Sequence, residues 1–241
     1  MFLRPSSRNK EPAIPLITHA QESAERITRE ALERYPGHIA LAVSFGGPSG
    51  MALLDLTLRI DPDVPVYYLD TGLLFPETYA LVERASRRYG IEPIAVRPEL
   101  SLEAQANQYG DSLWASDPDR CCALRKVAPQ RAFLRGFDAW LTGIRRAQSD
   151  QRGGIEPVAW DESAELAKIS PLYDWSDEDV WRYVNDHDVP VNVLHADGYP
   201  SIGCVPCTRR VAEGEDARAG RWAGFAKTEC GLHLPPAETP R

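Results

Sequence analysis

The chain has 241 residues, with a hydrophobic fraction of 43% and a charged fraction of 26%, which are ordinary values for a globular protein. A formal net charge of −8 at pH 7 argues against nucleic acid as a partner. No apolar run has the length of a membrane span, and the first residues contain no signal-peptide core. We therefore expect a cytoplasmic protein whose thiols stay reduced.

Helices and strands alternate over the first half of the chain. Residues 1–17 carry three prolines among polar residues and are expected to form a loosely ordered lead-in. The strands that follow are apolar on both faces, so they indicate an α/β fold with a mostly parallel, doubly wound sheet covered on both sides. Helices are predicted at 18–35, 49–60, 76–89 and 101–109, and strands at 39–45, 64–69 and 93–96.

The next elements are less regular. A helix is predicted at 123–134 despite Pro129, followed by a short strand at 139–141. Residues 150–165 are polar and contain glycine, so we expect a mobile loop there.

The last predicted helix starts at Ser176, because Ser176 and Asp179 have the spacing of a capping box. After Val191 the chain is loop-rich, and its Pro-rich tail is expected to be disordered. The expected organisation is therefore an α/β domain at 18–222 and a mobile C-terminal segment at 223–241.

A glycine-rich turn follows the first predicted strand, in the sequence Ser44-Phe45-Gly46-Gly47-Pro48-Ser49-Gly50. Such a turn before a helix lets backbone N–H groups face an anion such as phosphate, although a purely structural turn has the same pattern. Two further strands end at Asp70-Thr71-Gly72 and at Thr142-Gly143. Ligands of open α/β sheets bind at the carboxyl ends of strands, so three such ends favour a nucleotide site.

Arginines are concentrated after these strand ends. In a chain of net charge −8 the group suggests an anionic ligand, because the planar guanidinium suits phosphate or sulfate. For any single member, a solvated surface charge is the slightly favoured alternative. The group comprises Arg145, Arg146, Arg152, Arg209, Arg210, Arg218 and Arg221.

Four of the five cysteines form two pairs, Cys121-Cys122 and Cys204-x-x-Cys207. Two thiolate pairs from distant parts of the chain can close a four-sulfur metal site. Zinc ribbons space both pairs as Cys-x-x-Cys, so adjacent cysteines favour an iron–sulfur cluster. The alternative is a set of unrelated buried thiols.

The helix around the first pair carries cations that would stabilise such a cluster. Asp117 and Pro118 are predicted to be its N-cap and first residue. Arg125 and Lys126 follow the two cysteines at i,i+4 spacing, so we expect them on the same helix faces.

The fifth cysteine, Cys230, lies alone in a glycine-containing segment between Lys227 and His233. A nearby cation would promote its thiolate, which is a nucleophile toward electrophilic sulfur. The alternative is an idle exposed thiol.

Six blocks in this order resemble the sulfonucleotide reductases, and specifically the assimilatory adenylyl-sulfate (APS) reductases. The resemblance covers residues 41 to 233. The blocks are Asp70-Thr71-Gly72 with Phe75-Pro76-Glu77-Thr78, Cys121-Cys122-x-x-Arg125-Lys126-Val127, Thr142-Gly143-x-Arg145-Arg146-x-Gln148-Ser149, Ile202-Gly203-Cys204-x-x-Cys207-Thr208-Arg209, Gly214-Glu215-Asp216-x-Arg218-x-Gly220-Arg221-Trp222, and Lys227-Thr228-Glu229-Cys230-Gly231-Leu232-His233.

The resemblance implies an ATP-pyrophosphatase-like (adenine nucleotide alpha hydrolase-like) fold and a 4Fe-4S cluster on Cys121, Cys122, Cys204 and Cys207. It implies that Cys230 attacks the sulfur of adenylyl sulfate, forms a thiosulfonate and releases AMP. Thioredoxin or a glutaredoxin-like dithiol then releases sulfite; a homo-oligomer is left open. His233 and Lys126 would act beside the nucleophile, and the expected substrate contacts are Ser44, Gly46, Gly47, Asp70, Gly143, Arg145, Arg152, Arg218 and Arg221.

Three other functions compete with this one. A 3′-phosphoadenylyl-sulfate (PAPS) reductase, or an enzyme that accepts both substrates, shares the fold and the C-terminal cysteine, but members restricted to PAPS lack the paired cysteines. A nucleotide-activating ligase or tRNA thiolase needs a Ser-Gly-Gly-x-Asp-Ser loop, which this chain lacks. A non-enzymatic four-cysteine module would bind zinc and leave Cys230 without a role.

Overall fold

The computed structural model describes residues 18–233, so the predicted lead-in at 1–17 and the predicted tail at 234–241 lie outside the described residues. None of the helices in the described part is long and apolar enough to cross a membrane. The helices are α1 (His19–Arg34), α2 (Pro48–Ile60), α3 (Pro76–Tyr89), α4 (Leu102–Tyr109), α5 (Leu113–Ser116), α6 (Pro118–Cys122), α7 (Ala128–Leu134) and α8 (Asp177–Asp186). The strands are β1 (Ile39–Ala42), β2 (Val66–Leu69), β3 (Ile94–Val96), β4 (Ala139–Thr142), β5 (Val158–Asp161) and β6 (Leu166–Ile169).

The six strands form one sheet in the order β3-β2-β1-β4-β6-β5. Neighbouring strands are parallel, except that β5 runs antiparallel to β6. The chain builds outward from β1 to β3 on one side and continues at β4 on the other, so its direction of growth reverses between β1 and β4. Ligands of such sheets bind in the crevice at the carboxyl ends of the two strands that flank the reversal.

Helices cover both faces of the sheet, which confirms the predicted α/β class. On one face, residues of α1, α2, α3 and α8 share a large buried core with β1 and β2. On the other face, Leu134 and Phe133 of α7 pack against Tyr67 and Trp140 in a smaller cluster. Burying one large apolar side chain stabilises a fold by roughly 1.5–3 kcal/mol, so the larger core fixes the positions of the strand ends.

Two helix starts confirm their predicted caps. Ser176 and Asp179 form a reciprocal capping box at the start of α8. The Asp117 carboxylate accepts a hydrogen bond from the backbone N–H of Arg120 at the start of α6.

The predicted mobile loop at 150–165 is partly wrong, because β5 lies within it and pairs with β6 as a hairpin. β5 is a short edge strand, with Val158 and Trp160 exposed by 58% and 65%. An exposed edge strand lacks the buried apolar run that marks the central strands, so the pattern did not indicate it.

The predicted helix at 123–134 begins earlier, at Pro118, and contains a π turn over Ala123–Val127. Proline clashes with the carbonyl four residues before it, and the wider π turn accommodates Pro129 at this point. Arg125 still lies beside Cys121, and both line one small cavity, as the i,i+4 spacing predicts. Its guanidinium is buried and donates to the Thr71 and Leu100 carbonyls and to Gln105.

After α8 the chain forms the C-terminal region, residues 187–233, which confirms the predicted loop-rich character. Its described secondary structure consists of short 3-10 segments at Val193–Asp197 and Val205–Cys207. An isolated bridge pairs Cys204 with Leu74, just after β2. This contact brings the second cysteine pair and Cys230 back over the carboxyl edge of the sheet.

Candidate active site

A cavity of about 1840 Å³ lies at the carboxyl ends of the central strands. The glycine-rich turn after β1 and the end of β4 form one wall, and the C-terminal region forms the opposite wall. The cavity brings together most of the residues singled out in the sequence. These are Ser44, Gly46, Gly47, Lys126, Gly143, Arg145, Arg152, Arg218, Arg221, Cys230 and His233.

The glycine-rich turn is fixed by crowding of the backbone. Phe45 has a positive φ of 53° and a fully buried ring. A Cβ on Gly46 would lie 2.6 Å from the carbonyl oxygen of Ile202, so only glycine fits there. Gly47 is the N-cap of α2 and provides no side-chain cap. Backbone N–H groups of the first turn of α2 are therefore available to an anion in the cavity.

Gly143 permits a second close approach, between the end of β4 and the start of α2. A Cβ at this position would lie 2.9 Å from the carbonyl oxygen of Ser49. The residue therefore shapes the cavity wall by its lack of a side chain.

Arg145 supports this wall from behind. It is only 3% exposed, and each of its three guanidinium nitrogens donates to a protein group. Nε donates to Ser49 Oγ at 2.9 Å, Nη1 to the Trp175 carbonyl at 2.8 Å, and Nη2 to Asp177. These bonds fit a residue that positions the turn better than one that grips a ligand.

Arg152 and Arg218 contact Glu229, the residue that precedes Cys230. Arg152 makes a bidentate pair with the Glu229 carboxylate, with N–O distances of 2.7 and 2.6 Å. Arg218 lies 3.4 Å from the same carboxylate and donates to the Thr228 carbonyl at 2.7 Å. The two arginines therefore hold the segment that carries the cysteine.

Cys230 is half-buried and has cations around it. Burial alone would lower the pKa of Lys126, but the negative charges that Cys204, Cys230 and Cys122 carry when deprotonated outweigh burial and raise its pKa. The charge of Cys230 also acts on Lys168 and Arg218. Lys227, three residues before the cysteine, is paired with Asp119 of α6.

His233 is a neutral group in this setting. Burial, and then the positive charges of Lys168, Arg152 and Arg218, hold its pKa well below the ordinary value. Its ring stacks on Trp140 of β4, with centroids 5.8 Å apart and planes at 7°. The imidazole therefore docks the end of the segment in its neutral form, and its predicted action beside Cys230 remains a prediction.

Arg221 lies between the cavity and the second cysteine pair. A Cβ on Gly203 would overlap its guanidinium at 2.2 Å, so glycine makes room for the side chain. The guanidinium stacks on Trp222 at 4.5 Å and donates to Ser201 Oγ at 3.3 Å.

The two cysteine pairs line one small cavity beside the large one, and Lys126 and Trp222 line both. All four thiols are free. Burial, and then the charges of Cys122, Cys204 and Cys207, raise the pKa of Cys121 to about 12. Burial raises the pKa of Cys122 to about 11, although Lys126 opposes it. The thiols thus converge from two distant segments, as a shared metal centre requires.

The arrangement of the side chains does not by itself define a metal site. Within residues 18–233, no group of three or more His, Cys, Asp or Glu side chains is arranged to hold a metal ion. The donor set nevertheless fits a cluster, because four soft sulfur ligands surround one cavity and cations lie beside them.

Asp70 does not line the cavity. Its carboxylate accepts hydrogen bonds from the Tyr79 hydroxyl at 2.6 Å, Arg97 Nε at 2.9 Å and the Gly72 N–H at 3.2 Å. Burial would raise the pKa of Asp70, but these donors lower it. Its predicted contact with substrate remains a prediction.

Comparison with known proteins assigns the chain to a family. The model of the phosphoadenosine phosphosulfate reductase domain matches residues 38–210 of the chain. The chain belongs to this family.

Similar members of the phosphoadenosine phosphosulfate reductase family are named adenosine 5′-phosphosulfate reductase. The protein of Geobacillus thermodenitrificans is 48% identical over 205 residues, covering 85% of this chain and 87% of its own. The protein of Halalkalibacterium halodurans is 47% identical over 223 residues, covering 90% and 96%. The Bacillus subtilis adenosine 5′-phosphosulfate reductase 1 is 43% identical over 224 residues, covering 91% and 96%.

Solved structures give the same fold. A phosphoadenylyl-sulfate reductase from Candida auris, in a phosphate complex, is 33% identical with a TM-score of 0.68 and covers 78% of this chain and 90% of its own. An FMN adenylyltransferase from Candida glabrata is 17% identical with a TM-score of 0.60, covering 84% and 69%. The second likeness shows the fold alone and confirms the predicted adenine nucleotide alpha hydrolase-like architecture.

Three residues at the site of this family member were missed by sequence reasoning. Glu229 stood in a quoted motif without a role, Trp140 was assigned only to a strand, and Lys168 lay in a strand that was not predicted. Lys168 Nζ lies 5.5 Å from the Trp140 ring, and burial lowers its pKa. The pattern Leu166-Ala167-Lys168-Ile169, a lone cation in an apolar strand, was the available signal.

Proposed function

We propose that the chain reduces adenylyl sulfate to sulfite and AMP, with Cys230 as the nucleophile. The observation that carries this proposal is that a phosphate-type turn and a cysteine lie on opposite sides of one cavity. The phosphate-type turn and the start of α2 lie on one wall, and a half-buried cysteine among cations lies on the other. A nucleotide held at the strand ends would present its sulfate group toward the cysteine.

The turn residues Ser44, Gly46 and Gly47 would hold the nucleotide end of the substrate through backbone N–H groups and the start of α2. Gly143 would allow the nucleotide to approach β4 closely. Lys126, Arg152, Arg218 and Arg221 would hold the phosphate and sulfate oxygens, because guanidinium and ammonium groups bind such oxygens strongly. Arg145 would act indirectly, by fixing Ser49.

The chemical step is a thiolate attack on sulfur. The Cys230 thiolate bonds to the sulfur of adenylyl sulfate, the bond from that sulfur to the bridging oxygen breaks, and AMP leaves with the electron pair. Cys230 then carries a thiosulfonate. Lys126 would stabilise the thiolate before attack and the oxyanion during it.

A dithiol donor completes the cycle. One donor thiolate attacks Cys230 Sγ, and sulfite leaves with the electron pair of the sulfur–sulfur bond. The second donor thiol resolves the mixed disulfide, which restores the Cys230 thiolate and oxidises the donor to a disulfide. Thioredoxin or a glutaredoxin-like protein has this chemistry, and a reducing compartment such as the cytoplasm would supply it.

The two cysteine pairs, Cys121 with Cys122 and Cys204 with Cys207, would hold a 4Fe-4S cluster. Their protons would leave on binding, because metal ligands are thiolates. When bound, such a cluster supplies a negatively charged centre next to Lys126. Arg125 would brace this part of the helix through its bonds to the loop after β2.

Intact mass measurement tests the function directly. Anaerobic protein incubated with adenylyl sulfate and no reductant should gain the mass of one SO₃ group on Cys230 and release one AMP. Thioredoxin should then remove that mass as sulfite. Cys230→Ser should still bind AMP but form no adduct. An adduct on another cysteine, or turnover by Cys230→Ser, would exclude this mechanism.

The second candidate is a reductase that accepts PAPS, alone or with adenylyl sulfate. It is favoured by the Candida auris likeness, whereas the similar proteins at 43–48% identity bear the adenosine 5′-phosphosulfate name. Adduct formation rates with the two nucleotides, measured side by side, decide between them. We expect the rate with adenylyl sulfate to be the greater.

A further inference from the structure

The carboxylate of Glu229 is the most enclosed acid at the cavity. Its side chain is 2% exposed, against 12% for Arg152 and 18% for Arg218. Both carboxylate oxygens bond to Arg152, one of them also lies near Arg218, and Ser149 Oγ donates to it at 3.4 Å. An acid placed one residue before a nucleophile is thus paired with Arg152 and also contacts Arg218 of its own C-terminal region.

The carboxylate is ionised when the segment is docked. Burial alone would raise the pKa of Glu229, but the hydrogen bonds and charges of Arg152 and Arg218 outweigh it and lower its pKa. A charged carboxylate presents two oxygens to the guanidinium fork, as a phosphate or sulfate group does.

The edge of Arg152 formed by Nε and Nη2 can bind one carboxylate, phosphate or sulfate group at a time. Its remaining nitrogen, Nη1, donates to Gln148. An oxyanion that takes the paired edge must therefore displace Glu229. Arg218 reaches the same carboxylate with Nη2 alone, at 3.4 Å, and this nitrogen also donates to the Thr228 carbonyl.

We propose that Glu229 is a positioning residue that occupies the position on Arg152 and Arg218 where a phosphate or sulfate group of the substrate would bind. Binding of such an oxyanion and docking of the Cys230 segment therefore compete. This inference rests on the proposed function, since it assigns these two arginines to the substrate. Docking holds Cys230 against the cavity when no nucleotide is present. Binding of a tetrahedral oxyanion transfers the arginines from Glu229 to the ligand and loosens residues 224–233.

The competition has a thermodynamic consequence. A ligand that binds only after the carboxylate has left is weakened by the free energy of the docked contact. By reciprocity, the ligand weakens docking by the same factor. Removing the charge of Glu229 should therefore strengthen oxyanion binding while it loosens the segment.

Hydrogen exchange of the segment and ligand affinity test this competition without any turnover. The cluster-loaded full chain is compared with and without AMP, and with and without inorganic sulfate. We expect either ligand to lower the exchange protection of residues 224–233 in the unaltered protein. If AMP alone lowers the protection, the nucleotide phosphate is the group that replaces Glu229. If both ligands lower it, the two arginines form a site for any tetrahedral oxyanion.

Glu229→Gln should have low protection without ligand, and AMP should change it no further. Its affinity for AMP should rise, within the roughly 5- to 150-fold range of coupling between ligand sites. Glu229→Asp keeps the charge but is too short to span both nitrogens, so its values should fall between. Glu215→Gln is the matched control, because Glu215 also pairs with an arginine, Arg209, at 2.9 and 3.0 Å but lies exposed outside the cavity.

Two results would overturn the proposal. One is a segment that becomes more protected, or is unchanged, when AMP and sulfate bind to the unaltered protein. The other is weaker or equal binding of AMP by a folded Glu229→Gln. Neither result depends on reduction of adenylyl sulfate, so the proposed function fails or stands on the mass experiment alone.

Discussion

The two walls of the cavity are held in place by different forces. The turn after β1 is fixed by a buried Phe45 ring and by backbone atoms that leave no room for a Cβ on Gly46. The Cys230 segment is held by charged and aromatic side-chain contacts, through Lys227, Glu229 and His233. The first wall is thus determined by packing, and the second by contacts that charge and pH can weaken.

This difference fits the demands of the proposed reaction. Nucleotide binding needs a preformed wall, because ordering a loop at the moment of binding reduces affinity. The nucleophile must instead meet two partners in turn, first a sulfate group and then a protein dithiol. Side-chain ion pairs can exchange partners, whereas a packed backbone cannot.

The largest expected effect concerns the cysteine pairs, which join α6 to the C-terminal region. Cys121 and Cys122 belong to α6, and Cys204 and Cys207 belong to the C-terminal region. Cys204→Ser should lose iron and lower activity by at least about 100-fold, since even outer partners of metal ligands change affinity roughly 10- to 100-fold. Iron and sulfide content after anaerobic purification, measured with activity, checks this.

Cys230→Ser is the control for this prediction, because it removes a thiol without removing a proposed ligand. It should keep its iron. Unaltered protein purified anaerobically with stoichiometric zinc and no iron would refute the cluster and support a zinc module.

The next effect isolates charge from folding next to Cys230. Lys126→Ala should lower the rate of adduct formation by about 30- to 900-fold, because removing one donor to a developing anion adds roughly 2–4 kcal/mol to the barrier. Rates come from the mass experiment, and thermal unfolding of the same samples should change little. Arg210→Ala, which removes an exposed arginine of the C-terminal region, serves as the control. Equal rates for Lys126→Ala and Arg210→Ala would make Lys126 an ordinary surface charge.

The same contrast explains how much the sequence could predict. The central strands and their helices follow from continuous apolar runs and from caps such as Ser176, because burial and backbone bonding leave periodic patterns. The cysteine spacing and the motif at Cys230 indicated the chemistry. The first strand ends earlier than predicted, however, at Ala42, because residues 43–45 already turn into the glycine loop.

The rest depends on contacts between distant residues. Glu229 pairs with Arg152, which lies 77 positions away in the sequence, and no local sequence pattern predicts this pair. Arg145 had been grouped with ligand-binding arginines, but its bonds to Ser49, Trp175 and Asp177 depend on the folded neighbourhood. The π turn and the β5–β6 hairpin were not predicted for a related reason, because packing of the surrounding residues determines both.

A smaller effect tests the packed wall. Gly46→Ala should lower the free energy of unfolding by about 1–3 kcal/mol, because its Cβ would displace the Ile202 backbone, and it should weaken AMP binding. Urea denaturation and AMP titration measure the two losses. Gly136→Ala, which has nothing within 4 Å of its Cβ, should change stability by less than about 0.5 kcal/mol. A Gly46→Ala protein as stable as Gly136→Ala would mean that the turn is not held by crowding.

The smallest effect is a pH dependence of the Cys230 segment. His233 has a lowered pKa when docked, mainly because it is buried, whereas the undocked imidazole titrates near its ordinary value of about 6.5. As the pH falls below that value, protons bind preferentially to the undocked state. Docking should therefore weaken by up to about 1.4 kcal/mol per pH unit, until the docked pKa is reached.

Exchange protection of residues 224–233, corrected for intrinsic exchange rates, should accordingly fall between about pH 7.5 and 5.5. His233→Phe keeps a ring on Trp140 but cannot be protonated, so its protection should stay constant over this range. His19→Phe, which replaces an exposed histidine of α1, should behave like the unaltered protein. A loss of protection that persists in His233→Phe would assign the pH dependence to another group. Glu229 is not expected to be that group, because its lowered pKa keeps docking through this contact intact until the pH falls below the ordinary glutamate range of about 4.3.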